Sequence, residues 1–177
     1  MCCIETTPVI GTERLRLRGL RRTDAARIAK LANDDGVLRM TARMPRPYGI
    51  EAAEDFLEHV SRHDPEVERT FAIEHPDAGL MGVLGFTPSV YGGSEIGYWL
   101  GREHWGQGYA TEAATAALGW AKRGWRRKLV TASHFADNPA SGEVLCKAGF
   151  LYTGEVRPHY SRARDEEVAA RMMVWLA

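Results

Sequence analysis

The run Trp105-Gly106-Gln107-Gly108-Tyr109-Ala110-Thr111-Glu112 places two glycines and small side chains where a strand would turn into a helix, a composition suited to holding an anion. Upstream, Glu95-Ile96-Gly97-Tyr98-Trp99-Leu100 is a short apolar, aromatic run; downstream, Ala110, Ala113, Ala114, Ala117, Leu118 and Ala121 recur at helical spacing. Glycines let the backbone approach a ligand closely, and the first-turn amides of a helix have no partners of their own. The helix dipole adds attraction for negative charge, so this is a phosphate-binding turn. A nucleoside-triphosphate loop needs Gly-Lys-Ser/Thr, whereas Gly108 is followed by Tyr109. A dinucleotide fingerprint needs its third glycine where Thr111 stands. A third kind of turn is left.

Other candidate residues are fewer. His59 and His63 lie one helical turn apart, as a metal pair would, but Val60-Ser61-Arg62 lacks the glutamate of a zinc protease helix, and a surface helix is the expectation. No metal site is expected. Cys146 sits between Leu145 and Lys147 with no sequence cue for a paired histidine, and reads as a core or half-buried thiol. With Cys2 and Cys3 adjacent near the start of the chain, the three cysteines suggest no disulfide framework, and reduced thiols are expected.

These residues need a scaffold. The 177 residues suit one domain spanning 1–177, and 45% hydrophobic content supports a continuous core. Lys plus Arg and Asp plus Glu balance at 23 each, so no global field draws the protein to nucleic acid or an anionic membrane. Arg21-Arg22 and Arg126-Arg127-Lys128 are short clusters that read as solvated turns. No apolar run approaches the ~20 residues of a membrane span, and no secretory signal core is evident, so a cytoplasmic location is expected.

Along the chain, Arg14 to Arg18 alternates as a strand, and Asp24 to Leu31 opens a helix with Thr23 as its cap. After a loop marked by Pro45, Pro47 and Gly49, Glu51 to Val60 forms a second helix. Thr70 to Ile73 and Met81 to Phe86 form a hairpin around Pro76-Asp77-Ala78-Gly79, which leads into the Glu95 strand. Lys128 to Ser133 is the next strand; joined to the Glu95 strand through the glycine turn and its helix, it should lie parallel with a right-handed crossover. Asn138 caps a further helix with Pro139 at its first position and Gly149 at its end. Phe150 to Val156 and Glu167 to Leu176 close the sheet.

The pattern Trp-Gly-x-Gly-Tyr-Ala-Thr-Glu-Ala at 105–113, preceded by Glu-Ile-Gly-Tyr-Trp-Leu-Gly at 95–101, resembles the acetyl-coenzyme A site of the GNAT superfamily of N-acetyltransferases. Thr12-Glu13-Arg14-Leu15-Arg16-Leu17-Arg18 is similar to the opening strand of its ribosomal-protein N-terminal acetyltransferase branch, the RimJ/RimL type. Asn138-Pro139-Ala140-Ser141 through Lys147-Ala148-Gly149-Phe150 is similar to that branch's late coenzyme-contacting helix. One departure is Trp105, where the superfamily often has Gln or Arg; the branch commonly carries Trp there.

The resemblance implies an α/β fold: a mostly antiparallel, twisted sheet of about six to seven strands with one splayed parallel pair, flanked by about four helices. It implies acetyl-CoA as cosubstrate, with the pantetheine arm bonded to the backbone of Tyr98, Trp99 and Leu100. The pyrophosphate would lie on Gly106, Gln107, Gly108, Tyr109, Ala110 and Thr111. The Arg126-Arg127-Lys128 cluster is a further candidate for a coenzyme phosphate. Asn138 has two explanations that stay open, helix cap and coenzyme ligand.

The implied chemistry is direct attack of an amine on the thioester, with Glu95 as base, Ser141 as acid toward the departing thiolate, and a backbone amide near Tyr98 or Trp99 for the oxyanion. Tyr48, His159 and Tyr160 lie where the family's loops shape the acceptor pocket. An α-amino group or a weakly basic small amine is the expected acceptor. A non-catalytic acetyl-CoA sensor is the alternative, disfavoured by Glu95 and Ser141, which a pure binder does not need. Monomer and homodimer both remain open.

Overall fold

A computed structural model describes residues 7–177. Its strands are β1 (Ile10–Gly11), β2 (Arg16–Arg18), β3 (Arg69–His75), β4 (Gly79–Pro88), β5 (Ser94–Leu100), β6 (Leu129–Phe135), β7 (Leu151–Ser161) and β8 (Glu166–Leu176). Its α-helices are α1 (Ala25–Ala32), α2 (Asp35–Leu38), α3 (Ile50–Ser61), α4 (Tyr109–Arg123) and α5 (Pro139–Lys147). The strands form one sheet in the order β1-β2-β3-β4-β5-β6-β8-β7. The pair β5/β6 is parallel and the others are antiparallel.

Eight strands exceed the expected six to seven because β1 is a two-residue ladder against Leu17 and Arg16, too short for an alternating pattern. Helix α2 was equally hidden, at four residues. It forms because the Asp34 carboxylate accepts from the backbone N–H of Gly36 and Val37 at 2.8 and 3.2 Å. Thr23 is not the cap of α1. A 3-10 turn over Arg22–Asp24 precedes that helix, and Asp24 stands at its N-cap with its carboxylate turned back to Arg21 N at 2.7 Å. Asp24 also takes both terminal nitrogens of buried Arg18 at 2.9 Å, while Arg18 Nε donates to Glu74 at 2.8 Å. Arg18 thus ties α1 to β2 and β3.

The sheet divides two apolar layers. On one face α4 lays Ala113, Ala114, Ala117 and Leu118 against Leu17, Phe71, Leu84, Phe86 and Ile96, with Leu145 of α5 and Met173 beside them. The small residues of α4 let its backbone come close to the sheet. On the other face Ile28 and Leu31 of α1 and Ala53 and Leu57 of α3 cover Ala72, Leu80 and Val83. Trp99 of β5 and Ala163 pack against the same layer. Because side chains alternate along a strand, β5 sends Ile96, Tyr98 and Leu100 to the α4 layer and Trp99 to the α1/α3 layer.

Candidate active site

The parallel ladder between β5 and β6 consists of Ser94↔Val130 and Glu95↔Thr131. From Ile96 onward the two strands part, so one edge of Ile96–Leu100 is open while the other pairs with Gly82–Phe86 of β4. A sheet edge of this kind is a template for an extended amide-bearing ligand. Tyr98, Trp99 and Leu100 all lie on that edge, although the Leu100 carbonyl already accepts from Trp105 Nε1 at 2.8 Å. This bond anchors the glycine turn to the end of β5 through the residue that departs from the usual Gln or Arg.

Gly106 and Gly108 have φ of 72° and 81°, a left-handed backbone that side chains disfavour. Gly108 is the N-cap of α4 and offers no side-chain acceptor. The first intrahelical bond runs from Glu112 N to Gly108 O at 3.0 Å, so the amides of Tyr109, Ala110 and Thr111 precede the ladder. A side chain at Gly106 would meet nothing within 4 Å, so the turn is open at this position. The donor set fits a pyrophosphate.

The turn is held from outside by the chain's first segment. Glu112 accepts from Thr12 Oγ1 at 2.6 Å, from Arg14 N at 2.8 Å and from Arg14 Nε at 2.7 Å. Arg14 Nη1 donates to Gln107 O at 3.0 Å, and its guanidinium lies 4.5 Å over the Tyr109 ring. Burial pushes the Glu112 carboxyl up, but the bonds from Thr12 and Arg14 outweigh it and hold it below its ordinary range. In the sequence, Glu112 and Arg14 stand out only as members of the motifs at 105–113 and 12–18. Their pairing spans 98 residues, and no local pattern reveals it.

On the α4/α5 side of the opening, Tyr98 and Ser141 meet. The Tyr98 phenol donates to Ser141 O at 3.1 Å, and the two hydroxyls lie 2.9 Å apart. Burial pushes the Tyr98 phenol up to about 12, against the Ser141 bond, so it stays protonated throughout the neutral range. Ser141 N in turn donates to Asn138 Oδ1 at 3.3 Å. Asn138 is therefore a working helix cap, with Pro139 at the first helical position.

On the opposite side, Glu95 Oε1 accepts from Ser133 Oγ of β6 at 3.3 Å, and Ser133 Oγ lies 3.4 Å from His159 Nδ1 of β7. The opening thus carries a carboxylate on one side and a hydroxyl pair on the other.

Several expected residues stand elsewhere. Tyr48 does lie in a loop, between α2 and α3, but its ring is buried in the α1/α3 layer, and burial pushes its phenol up to about 12. His159 and Tyr160 belong to strand β7 rather than a loop; Tyr160 is exposed and donates to Asp165. Arg127 donates to Glu66 O and stacks on Trp125 at 3.8 Å, beyond the C-terminal end of α4, a helix length of ~22 Å from the turn. It therefore does not share the phosphate site.

Cys146 is exposed rather than half-buried, because Gly142 and Leu145 form the inner side of α5 and turn it outward. Cys2 and Cys3 lie outside the described residues. His59 and His63 meet edge to face at 4.5 Å, and His63 Nδ1 is 3.0 Å from Glu68. Among the described residues no group of three or more His, Cys, Asp or Glu is placed to hold a metal ion. No described helix is long and apolar enough to cross a membrane.

The sequence profile of the acetyltransferase (GNAT) domain matches residues 14–151, which include β5, the glycine turn and α5. The chain belongs to the GNAT acetyltransferase family. It is 29% identical over 167 residues to the uncharacterized N-acetyltransferase YoaA of Bacillus subtilis (strain 168), covering 86% of this chain and 88% of that one. Over 115 residues it is 31% identical to a ribosomal-protein-serine acetyltransferase of Escherichia coli (strain K12), covering 61% of this chain and 63% of that one. Among solved structures, Mycobacterium smegmatis RimJ in complex with CoA-disulfide shares its fold, with a TM-score of 0.85 at 19% identity over 97% of this chain and 88% of that one. The protein is accordingly an acetyltransferase enzyme of this family.

Proposed function

We propose that this acetyltransferase moves acetyl from acetyl-CoA to a primary amine, either a protein α-amino group or a weakly basic small amine. The observation that carries the reading is the opening between β5 and β6, with Glu95 at one side and the Tyr98–Ser141 hydroxyl pair at the other. Bound acetyl-CoA supplies an activated thioester carbonyl and a thiol leaving group. The open edge of Tyr98, Trp99 and Leu100 receives its amide-bearing arm, and the amides of Gly106 to Thr111 receive its pyrophosphate. The Asn138 side-chain nitrogen is left for the coenzyme, since its oxygen serves the cap.

The acceptor approaches Glu95 from the face of the sheet opposite α4, to which strand alternation turns its side chain. Glu95 removes the amine proton, directly or through one water, and Ser141 donates its proton toward the departing sulfur and regains one from solvent, while Tyr98 holds its hydroxyl in place. A backbone N–H near Tyr98 or Trp99 faces the carbonyl oxygen as it gains charge. An α-amino group has an ordinary pKa of about 8 and lysine about 10.4, so presenting the neutral amine at pH 7 costs about 1 against about 5 kcal/mol. One carboxylate suits the first better. Likeness to a protein named for ribosomal-protein serine supports a protein N-terminus as acceptor.

The test is thiol release from acetyl-CoA across N-terminal peptides, lysine peptides and small amines. Turnover on α-amino or weakly basic amines supports the reading, and acetylation found only on lysine side chains refutes it.

A further inference from the structure

Strand β7 is an exposed edge, and from Leu151 to Tyr160 every residue but one is exposed; the exception is His159. Its ring turns inward to Ser133 of β6, itself half-buried, and Ser133 turns to Glu95 of β5. Three strands thus contribute one carboxylate, one hydroxyl and one imidazole in line, at 3.3 and 3.4 Å. Both contacts are long, as catalytic hydrogen bonds often are without substrate. A serine hydroxyl can do what the alignment requires, since it accepts from one side while donating to the other and its hydrogen rotates freely.

We propose that Ser133 and His159 form a proton relay that discharges Glu95 after it has taken the amine proton. The proposal rests on the reading of Glu95 as base. With Glu95 ionised, Ser133 donates to Oε1. Once Glu95 is protonated, its O–H bond breaks as a new one forms to Ser133 Oγ. The original Ser133 O–H breaks as its proton joins His159 Nδ1, and one proton has moved from carboxyl to imidazole. The ring then carries hydrogen on both nitrogens and releases one to solvent from Nε2; exchange with water, gaining a proton at Nε2 and losing the one at Nδ1, returns it to the starting tautomer before the next turnover. The neutral starting ring is the tautomer with hydrogen on Nε2. Histidine suits this task because an imidazole accepts a proton on one ring nitrogen and gives one up from the other. Ser133 and His159 are positioning residues here, since they act on the acceptor only through Glu95.

The experiment compares Glu95→Gln, Ser133→Ala, His159→Ala and the Ser133→Ala/His159→Ala double variant, using an amine that the wild-type enzyme acetylates. His159→Ala is expected to lower kcat roughly tenfold, with KM for acetyl-CoA unchanged, and added imidazole restores most of the loss. Ser133→Ala lowers kcat to a similar degree, and the double variant is no slower than the slower single one, because both break one path. A His159→Ala enzyme with wild-type kcat, or a loss that imidazole does not restore, overturns the relay. Additive losses in the double variant overturn it equally. Should Glu95→Gln keep wild-type kcat, the reading of Glu95 itself fails; should Glu95→Gln be impaired while His159→Ala is not, only the relay fails. Melting temperatures of each variant separate these results from misfolding.

Discussion

Ser141→Ala isolates one atom of the proposed machinery. Alanine keeps the backbone N–H that Asn138 caps at 3.3 Å, and it keeps the carbonyl that Tyr98 reaches at 3.1 Å. What disappears is the hydroxyl 2.9 Å from the Tyr98 phenol. The folding cost is one partly buried hydrogen bond, about 1 kcal/mol, offset in part by the better helix propensity of alanine. The catalytic cost is larger. General acids contribute roughly 10²- to 10⁴-fold, and a thiol with an ordinary pKa of about 8.5 needs its proton less than an alkoxide would. The low end applies, so kcat should fall about a hundredfold near pH 7, or about 2.7 kcal/mol.

The pH dependence follows from the same reasoning. A thiolate leaves unaided more readily as the solution approaches its own pKa, so the deficit of the variant should shrink between pH 7 and 9. Tyr98, pushed up to about 12, stays protonated over that range and adds no titration of its own. The assay is thiol release under saturating acetyl-CoA, with acetyl-CoA affinity and denaturant unfolding measured beside it. A kcat within twofold of wild type at pH 7 would refute the acid role. So would a large kcat loss matched by an equal fall in stability, which would make Ser141 a structural residue.

Other perturbations test the supports. Gly106→Ala places a Cβ at a φ of 72°, costing roughly 1–2 kcal/mol of folding, and puts a methyl into the open turn before α4; calorimetry should show acetyl-CoA binding weakened about tenfold. Glu112→Gln removes the acceptor of Arg14 and should raise the acetyl-CoA Kd while leaving kcat at saturation within a fewfold, since it touches the turn and not the opening. Asp24→Asn strands much of the buried Arg18 charge and should destabilise the fold by about 3 kcal/mol in denaturant, with Glu74 still in place as a partial partner. For Asp24, Glu74 and Glu112, burial raises the carboxyl but arginine and hydroxyl donors outweigh it and hold each below its ordinary value. Their stability contribution is present above about pH 5 and is lost as pH falls through the folded-state values; a melting temperature that stays level down to pH 3 would contradict this.

The legible parts of this chain were those whose cause is local. The glycine turn could be read because two glycines abut a helical repeat, and Asn138-Pro139 because cap chemistry is complete within four residues. The parallel β5/β6 pair followed from the rule for strand, helix, strand crossovers, and the structure bears it out. What escaped was set by distant contacts. Thr23 looked like a cap because nothing in the sequence announces that Asp24 is claimed by Arg18. That β7 runs on to Ser161, beyond Val156, has no sequence signal, because Leu151 to Pro158 are all exposed and hydrophobic alternation is absent. The exposure of Cys146 is hidden in the sequence because α5 buries only a narrow stripe, Gly142 and Leu145, and its small residues define no clear apolar face.

The same division explains why the chemistry was half visible. The coenzyme side is built from β5, the turn and α4, which are contiguous in sequence, so their residues announce themselves as a motif. The groups proposed to move protons come from β5, β6, β7 and α5, and each pair meets across 26 to 43 residues. Glu95 and Ser141 were reachable only through likeness to relatives; Ser133 and the inward turn of His159 had no signal at all. Such a split is physically reasonable. Binding a pyrophosphate demands backbone geometry, which a short stretch can encode, whereas carrying a proton demands side chains from several strands brought to hydrogen-bond distance by the curvature of the whole sheet. Variation in the acceptor should therefore be sought in residues of the second kind, with the turn unchanged.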